Sequence, residues 1–186
     1  MHERKSDLIR NIPIAMQNLA ARRGTVFNGR GKFAGDNAIE VNGQTITGDN
    51  IVIATGSKTR PLPLPGAEFL ITSDDVLSDT EQPSEVVFIG GGVIAMEFSH
   101  VYSRAGTKVT ILEGLPRILP RLDADAVAVL RAESERLGIT IATNVTVKKV
   151  TKDGGRFSVH YEHDGKQCSV LADRAINGAG RVPNIS

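Results

Sequence analysis

From Asp7 to Arg23, apolar Leu8, Ile9, Ile12, Met16, Leu19 and Ala20 recur at three- and four-residue spacing, which predicts one amphipathic helix stopped at Gly24. Pro13 lies inside it and either kinks the helix or delays its start. The pattern then changes to short apolar or β-branched runs at residues 26–27, 39–41, 45–47 and 51–54. Gly29, Gly31, Gly35, Gly43 and Gly48 separate them, and the expectation is a small β-meander. Pro61, Pro63, Pro65 and Gly66 form a stiff connector poor in N–H donors, and a domain boundary is expected there.

Beyond Pro83 the period is that of an α/β chain. Residues 86–89 read as a buried strand and residues 93–105 as a helix ended by Gly106. A second strand follows at 108–112, then a helix capped by Asp123 and running to Leu137, then a third parallel strand at 139–142. Residues 145–150, 157–162 and 167–171 alternate in polarity around a His163-Asp164-Gly165 turn. They predict an antiparallel ribbon inserted before a last strand at 174–177. The expected fold class is therefore α/β, a Rossmann-like domain with a parallel sheet and an inserted antiparallel ribbon.

Candidate chemistry concentrates where residues 86–89 run through Gly90-Gly91-Gly92-Val93-Ile94-Ala95 straight into a helix. A dinucleotide needs small residues at this spacing. Gly90 allows the tight turn, Gly92 lets backbone approach a pyrophosphate, and Ala95 keeps the helix close to the strand. The phosphates then face free N–H groups and the positive end of the helix dipole. An acidic residue, Glu113, ends the next strand 23 residues after Gly90, close to the ~20 expected.

Glu113 favours NAD over NADP. Its carboxylate accepts hydrogen bonds from ribose hydroxyls, but a 2′-phosphate repels it. One charge pair at ~4 Å is on the order of 4 kcal/mol at an effective dielectric of ~20, and a quarter of that is about a fivefold preference. Arg117 and Arg121 either temper this preference or are solvated surface charges.

Composition narrows the partners. With 22 Lys+Arg against 21 Asp+Glu, the chain carries no excess charge to draw it to nucleic acid or an anionic membrane. The sequence holds no apolar run of membrane-spanning length, and the expected location is cytoplasmic. One cysteine, Cys168, and four scattered histidines leave neither a thiol pair within these 186 residues nor a metal-ligand spacing. No catalytic residue is nominated.

Several stretches together resemble one family: residues 51–57, 61–66 and 72–75, the Gly90 to Glu97 block, Ile118-Leu119-Pro120 with Asp123, and residues 178–184. They occur in the order found in the FAD-dependent pyridine nucleotide-disulfide oxidoreductases, to which dihydrolipoamide dehydrogenase, glutathione reductase and mercuric reductase belong. The resemblance implies that residues 1–60 are the C-terminal part of a FAD-binding domain, 61–66 a linker, and 67–186 the NAD(P)-binding domain. It further implies that Gly31, Thr55, Gly56 and Ser57 touch FAD. Gly90, Gly91, Gly92, Val93, Ile94, Ala95, Glu97, Glu113, Val145 and Gly180 would surround the nicotinamide dinucleotide. Val145 would lie by the adenine, and Glu97 and Gly180 toward the nicotinamide. Each residue also has a plainer reading: Val145 as a strand residue, Glu97 as an exposed helix carboxylate, Gly31 as a loop glycine.

The sequence departs from the family pattern in three respects. No glycine fingerprint precedes residue 66, no Cys-x4-Cys pair is present, and no C-terminal domain with a His-Glu pair follows. The expectation is the middle of a longer, homodimeric oxidoreductase whose redox disulfide lies outside these residues, so that this chain alone turns over nothing. Two alternatives stand beside it: a non-catalytic NAD-binding or sensor module, and a flavoprotein without the disulfide, such as an NADH oxidase.

Overall fold

Pro13 sets the start of the first helix, α1 (Ile12–Ala21), by occupying its opening turn, where a missing N–H costs nothing. The computed structural model describes residues 7 and 9–185, so Leu8 of the expected helix falls outside the described residues. The chain divides into two units, Met1–Ala54 and Thr55–Ser186.

In the first unit, α1 is followed by an antiparallel meander of β1 (Gly31–Gly35), β2 (Ala38–Val41) and β3 (Gln44–Thr47). Asn42 and Gly43 both have positive φ and form the β2–β3 turn, the usual chemistry of a two-residue hairpin. None of the described residues of this unit is buried. The expected runs at 26–27 and 51–54 are not strands, because no described segment pairs with them. Val52 and Ile53 stand exposed.

The second unit is built on a four-stranded parallel sheet in the order β11-β5-β6-β7, from β5 (Glu85–Ile89), β6 (Lys108–Leu112), β7 (Thr140–Ala142) and β11 (Arg174–Asn177). Helix α3 (Val93–Arg104) connects β5 to β6 and α4 (Ala124–Arg136) connects β6 to β7, while a shorter α2 (Ser73–Ser78) precedes the sheet. Asp123 caps α4 by accepting from the N–H groups of Asp125 and Ala126.

Period-two alternation sends β5 side chains to two cores. Val86 and Phe88 join Val109, Ile111 and Ile176 beneath α3 and α4. Val87 and Ile89 meet Leu112, Ala175 and, from the ribbon, Val150 and Val159. A strand buried on both faces must read as an uninterrupted apolar run, and this one does. The ribbon is the antiparallel set β8 (Thr146–Asp153), β9 (Arg156–His163) and β10 (Lys166–Ala172). The structure is thus the α/β arrangement with parallel sheet and inserted ribbon that the pattern predicts.

Three features differ from expectation. The units divide after Ala54, ahead of the proline-rich stretch, because β4 (Ser57–Thr59) pairs with β12 (Arg181–Pro183) at the other end of the second unit. Residues 61–66 are not a free tether. Leu62 and Leu64 pack on the ribbon-side core, and Pro65 O accepts the Val150 N–H at 2.9 Å. Gly66 is required there, since a Cβ would overlap the Val150 carbonyl. Finally α2 is present where no helix was expected; Thr72 donates through both its N–H and its hydroxyl to the Asp75 carboxylate across the first turn.

Candidate functional site

β5 has neighbours on both sides, β6 entered through α3 and β11 entered from the ribbon, so the strand order reverses at β5. In open parallel sheets a crevice forms beyond the strand ends at such a point. Here a cleft of about 780 Å³ opens there. Six of the residues expected to contact the dinucleotide line it: Gly90, Gly92, Val93, Glu113, Val145 and Gly180.

The three glycines at the corner do different work. Gly90 has φ +101°, and a Cβ on it would lie 2.7 Å from backbone atoms of Gly178 and Ala179. A Cβ on Gly91 would strike Ile118 at 2.7 Å. At both, the space a side chain would take is filled by protein, although the Gly90 backbone still borders the cleft. At Gly92 the nearest atom to a Cβ is Gly178 O at 3.4 Å, an ordinary contact, so the space beside this residue belongs to the cleft. Gly92 is also the N-cap of α3, whose first N–H groups find no acceptor within the helix. An open backbone cradle at a helix N-terminus fits a diphosphate.

Gly91 does not present its amide to the cleft. Its N–H donates to Glu113 Oε2, and the Leu115 N–H donates to Oε1 at 2.8 Å. Glu113 is buried at 9% exposure with both carboxylate oxygens anchored, and each oxygen retains a further lone pair. Ala95 is fully buried, close against Gly178, and holds α3 near the sheet rather than lining the cleft. Ile94 and the exposed Glu97 lie on α3 outside the lining.

The residues assigned to FAD fall in both units. Gly31 lies on β1 in the first unit. Thr55, Gly56 and Ser57 lie at the start of the second, outside the lining. The Ser57 hydroxyl and carbonyl both accept from the Arg181 guanidinium, and Gly56 O accepts the Asn184 N–H at 3.0 Å.

Several contributors escape the motif. Leu62 and Leu64 form a wall of the cleft, although their segment reads as a linker. Asn177, buried at the end of β11, donates to Arg60 O at 2.9 Å and accepts the Ala179 N–H at 3.1 Å. It ties the connector to the Gly178–Gly180 turn that backs Gly90. No sequence signal singles it out, because the two partners lie on opposite sides of the sheet in chain order. Among the described residues no group of histidines, cysteines or carboxylates could hold a metal ion, and no helix is long and apolar enough to cross a membrane.

Comparison with known proteins shows what the chain is similar to. The family model described as pyridine nucleotide-disulphide oxidoreductase matches residues 3–186. A dihydrolipoyl dehydrogenase of Mycoplasma pneumoniae is 36% identical over 172 residues, which is 89% of this chain and 37% of that protein. One from Acholeplasma laidlawii is 33% identical over 188 residues, 97% of this chain and 55% of that protein. Among solved structures, the HOCl-induced flavoprotein disulfide reductase RclA of Escherichia coli superposes with a TM-score of 0.88 at 27% identity, covering all of this chain and 43% of that one. The chain therefore spans roughly two-fifths to half the length of these relatives.

Proposed function

Because the chain belongs to the pyridine nucleotide-disulphide oxidoreductase family, we propose that residues 55–186 are the NAD(H)-binding part of an FAD-dependent, dihydrolipoyl dehydrogenase-like oxidoreductase and that the first unit belongs to its FAD-binding part. The observation that carries this reading is the corner at residues 90–92, where protein fills the side-chain space of Gly90 and Gly91 while that of Gly92 is open to the cleft. When bound, the nicotinamide supplies hydride transfer; everything else follows from what this chain offers it.

The N–H groups opening α3 bind the diphosphate, with the helix dipole adding attraction. Glu113, pre-oriented by Gly91 and Leu115, accepts from the ribose hydroxyls and disfavours an added 2′-phosphate, so NAD is the preferred partner. Val145, buried beside the cleft, contacts the adenine. Gly180 and Glu97 lie toward the nicotinamide, and Thr55 to Ser57 with Gly31 toward FAD. In the whole protein electrons pass between NAD(H), FAD and a disulfide. These 186 residues hold only Cys168, so the chain alone binds and orients without turnover. A self-contained sensor module is disfavoured, since none of the described residues of the first unit is buried.

Titration of the chain with NADH, followed by nicotinamide fluorescence, tests the reading. Saturable binding that Gly92→Val abolishes without unfolding the protein is the expected result. No binding by the unaltered chain, or sustained disulfide reductase turnover by it, overturns the proposal.

A further inference from the structure

We infer that Arg121 is a phosphate-contacting residue of the cleft, held in place by Arg117; this rests on the dinucleotide reading above. The two arginines are indistinguishable in sequence, each close behind Glu113. Their environments separate them.

The Arg117 guanidinium is engaged in the loop itself. It donates to Pro120 O at 2.7 Å and to Leu122 O at 3.0 Å, the carbonyls on either side of Arg121. The bond to Pro120 O fixes the peptide plane that leads into Arg121, and the bond to Leu122 O fixes the plane one residue beyond it. The same turn is pinned to the glycine corner, since the Leu119 N–H donates to Gly91 O at 3.0 Å and the Leu122 N–H to Leu119 O at 3.0 Å. Ile118 and Leu119 are buried beneath it, and Leu119 takes a positive φ of 47° to make the bend. The backbone bearing Arg121 is thus anchored to the residues that shape the phosphate cradle.

Arg121 lines the cleft and is exposed, and its guanidinium has no hydrogen bond or ion pair with any described residue. The nearby carboxylates are otherwise occupied. Asp123 caps α4, and Glu113 accepts from Gly91 and Leu115. A guanidinium presents a planar fork of donors matched to phosphate oxygens. Arg121 is the anion-binding side chain at the rim, and Arg117 is the positioning residue that sets it. The phosphate it meets is either the diphosphate bridge, common to both nicotinamide dinucleotides, or the 2′-phosphate of NADPH, whose repulsion by Glu113 it would offset.

Parallel titrations of the unaltered chain, Arg121→Gln and Arg121→Lys with NADH and NADPH at low and high salt test this. At low salt Arg121→Gln weakens binding about tenfold or more, the loss is partly restored in Arg121→Lys, and it shrinks at high salt. Equal loss for both dinucleotides assigns the contact to the diphosphate; loss confined to NADPH assigns it to the 2′-phosphate. Arg117→Ala weakens binding in the unaltered chain and adds nothing in the Arg121→Gln background, a non-additivity that mere loop destabilisation would not produce. If the unaltered chain binds NADH or NADPH and Arg121→Gln binds both as tightly, the role of Arg121 is overturned while the dinucleotide reading stands. If the unaltered chain binds neither, both are overturned.

Discussion

The Gly91 N–H, at the corner between β5 and α3, donates to Glu113 Oε2 at the end of β6, 22 residues away. With the Leu115 N–H on Oε1, this bond fixes the carboxylate before any ligand arrives. The acidic residue of the dinucleotide pattern thus has two tasks, bracing the corner and facing the cleft. Glu113→Gln separates them poorly, because an amide nitrogen must then face one of the two N–H donors. The expected outcome is a loss of about 1–3 kcal/mol in stability, read by urea denaturation. NADH affinity also falls, about tenfold for ~1.4 kcal/mol of lost interaction, with a smaller preference for NADH over NADPH.

The glycine corner gives a sharper contrast. Gly90→Ala drives a Cβ to 2.7 Å from the backbone of residues 178 and 179 at φ +101°, so this variant loses a few kcal/mol, on the order of 3, in folding stability. Gly92→Ala meets only Gly178 O at 3.4 Å. It keeps its urea midpoint and loses NADH binding. The reverse pattern would place the cradle elsewhere.

Asn177 joins residues 117 positions apart through its bond to Arg60 O. In Asn177→Ala, that carbonyl and the Ala179 N–H both lose their partner at a partly buried site. The cost is about 1 kcal/mol per lost bond, and the connector and the Gly178–Gly180 turn loosen together. Hydrogen exchange is the measurement: protection of the Ala179 amide and of the Arg60 amide, which donates to Gly180 O, falls in the same variant.

What was legible in the sequence follows from how each element is stabilised. β5 is an apolar run because both its faces are buried, and β6 and β11 show shorter apolar cores, Val109 to Leu112 around Thr110 and Ala175-Ile176, that place them in the sheet. Asp123 announces α4 because capping is a local act. The β4–β12 ladder was hidden, since two three-residue strands separated by most of the unit have no periodicity to detect. Helix α2 left a weak trace in its Thr-x-x-Asp start, Thr72 and Asp75, but six residues are too few to show a helical stripe. Within the site, the glycine pattern indicated the corner. It could not show that Gly91 serves Glu113 while Gly92 serves the cleft, because that depends on where Ile118 and Gly178 pack. Leu62 and Leu64 were obscured by the prolines around them, whose stiffness suggests a tether and here shapes a docked strap.

A last prediction concerns the support of α3 rather than the cleft. His100 Nε2 lies 2.9 Å from the Ser134 hydroxyl on α4, which itself donates to Leu130 O at 2.7 Å, so the imidazole must be the donor of that pair. Its Nδ1 then accepts from Arg104 at 3.0 Å. This is the neutral ring, since a second proton would sit on Nδ1 against the guanidinium. Burial, and then the Arg104 charge, push the His100 pKa below its ordinary value of 6.5, with Glu133 opposing. A depressed histidine pKa means the fold prefers the deprotonated form. The stability it contributes is fully present above the unfolded value and is lost as pH falls through the folded one. The carboxylates held low, Glu85 by Lys108 and Arg156 and Glu133 by Arg136, act only in a more acidic window. Thermal midpoints should therefore decline between pH about 7 and about 5 in the unaltered chain. His100→Gln, which retains a donor toward Ser134, flattens that interval and leaves the acid limb in place. Arg104→Gln raises the His100 pKa in an NMR titration. An unchanged profile in His100→Gln would mean that the α3–α4 contact is insensitive to the ring's charge.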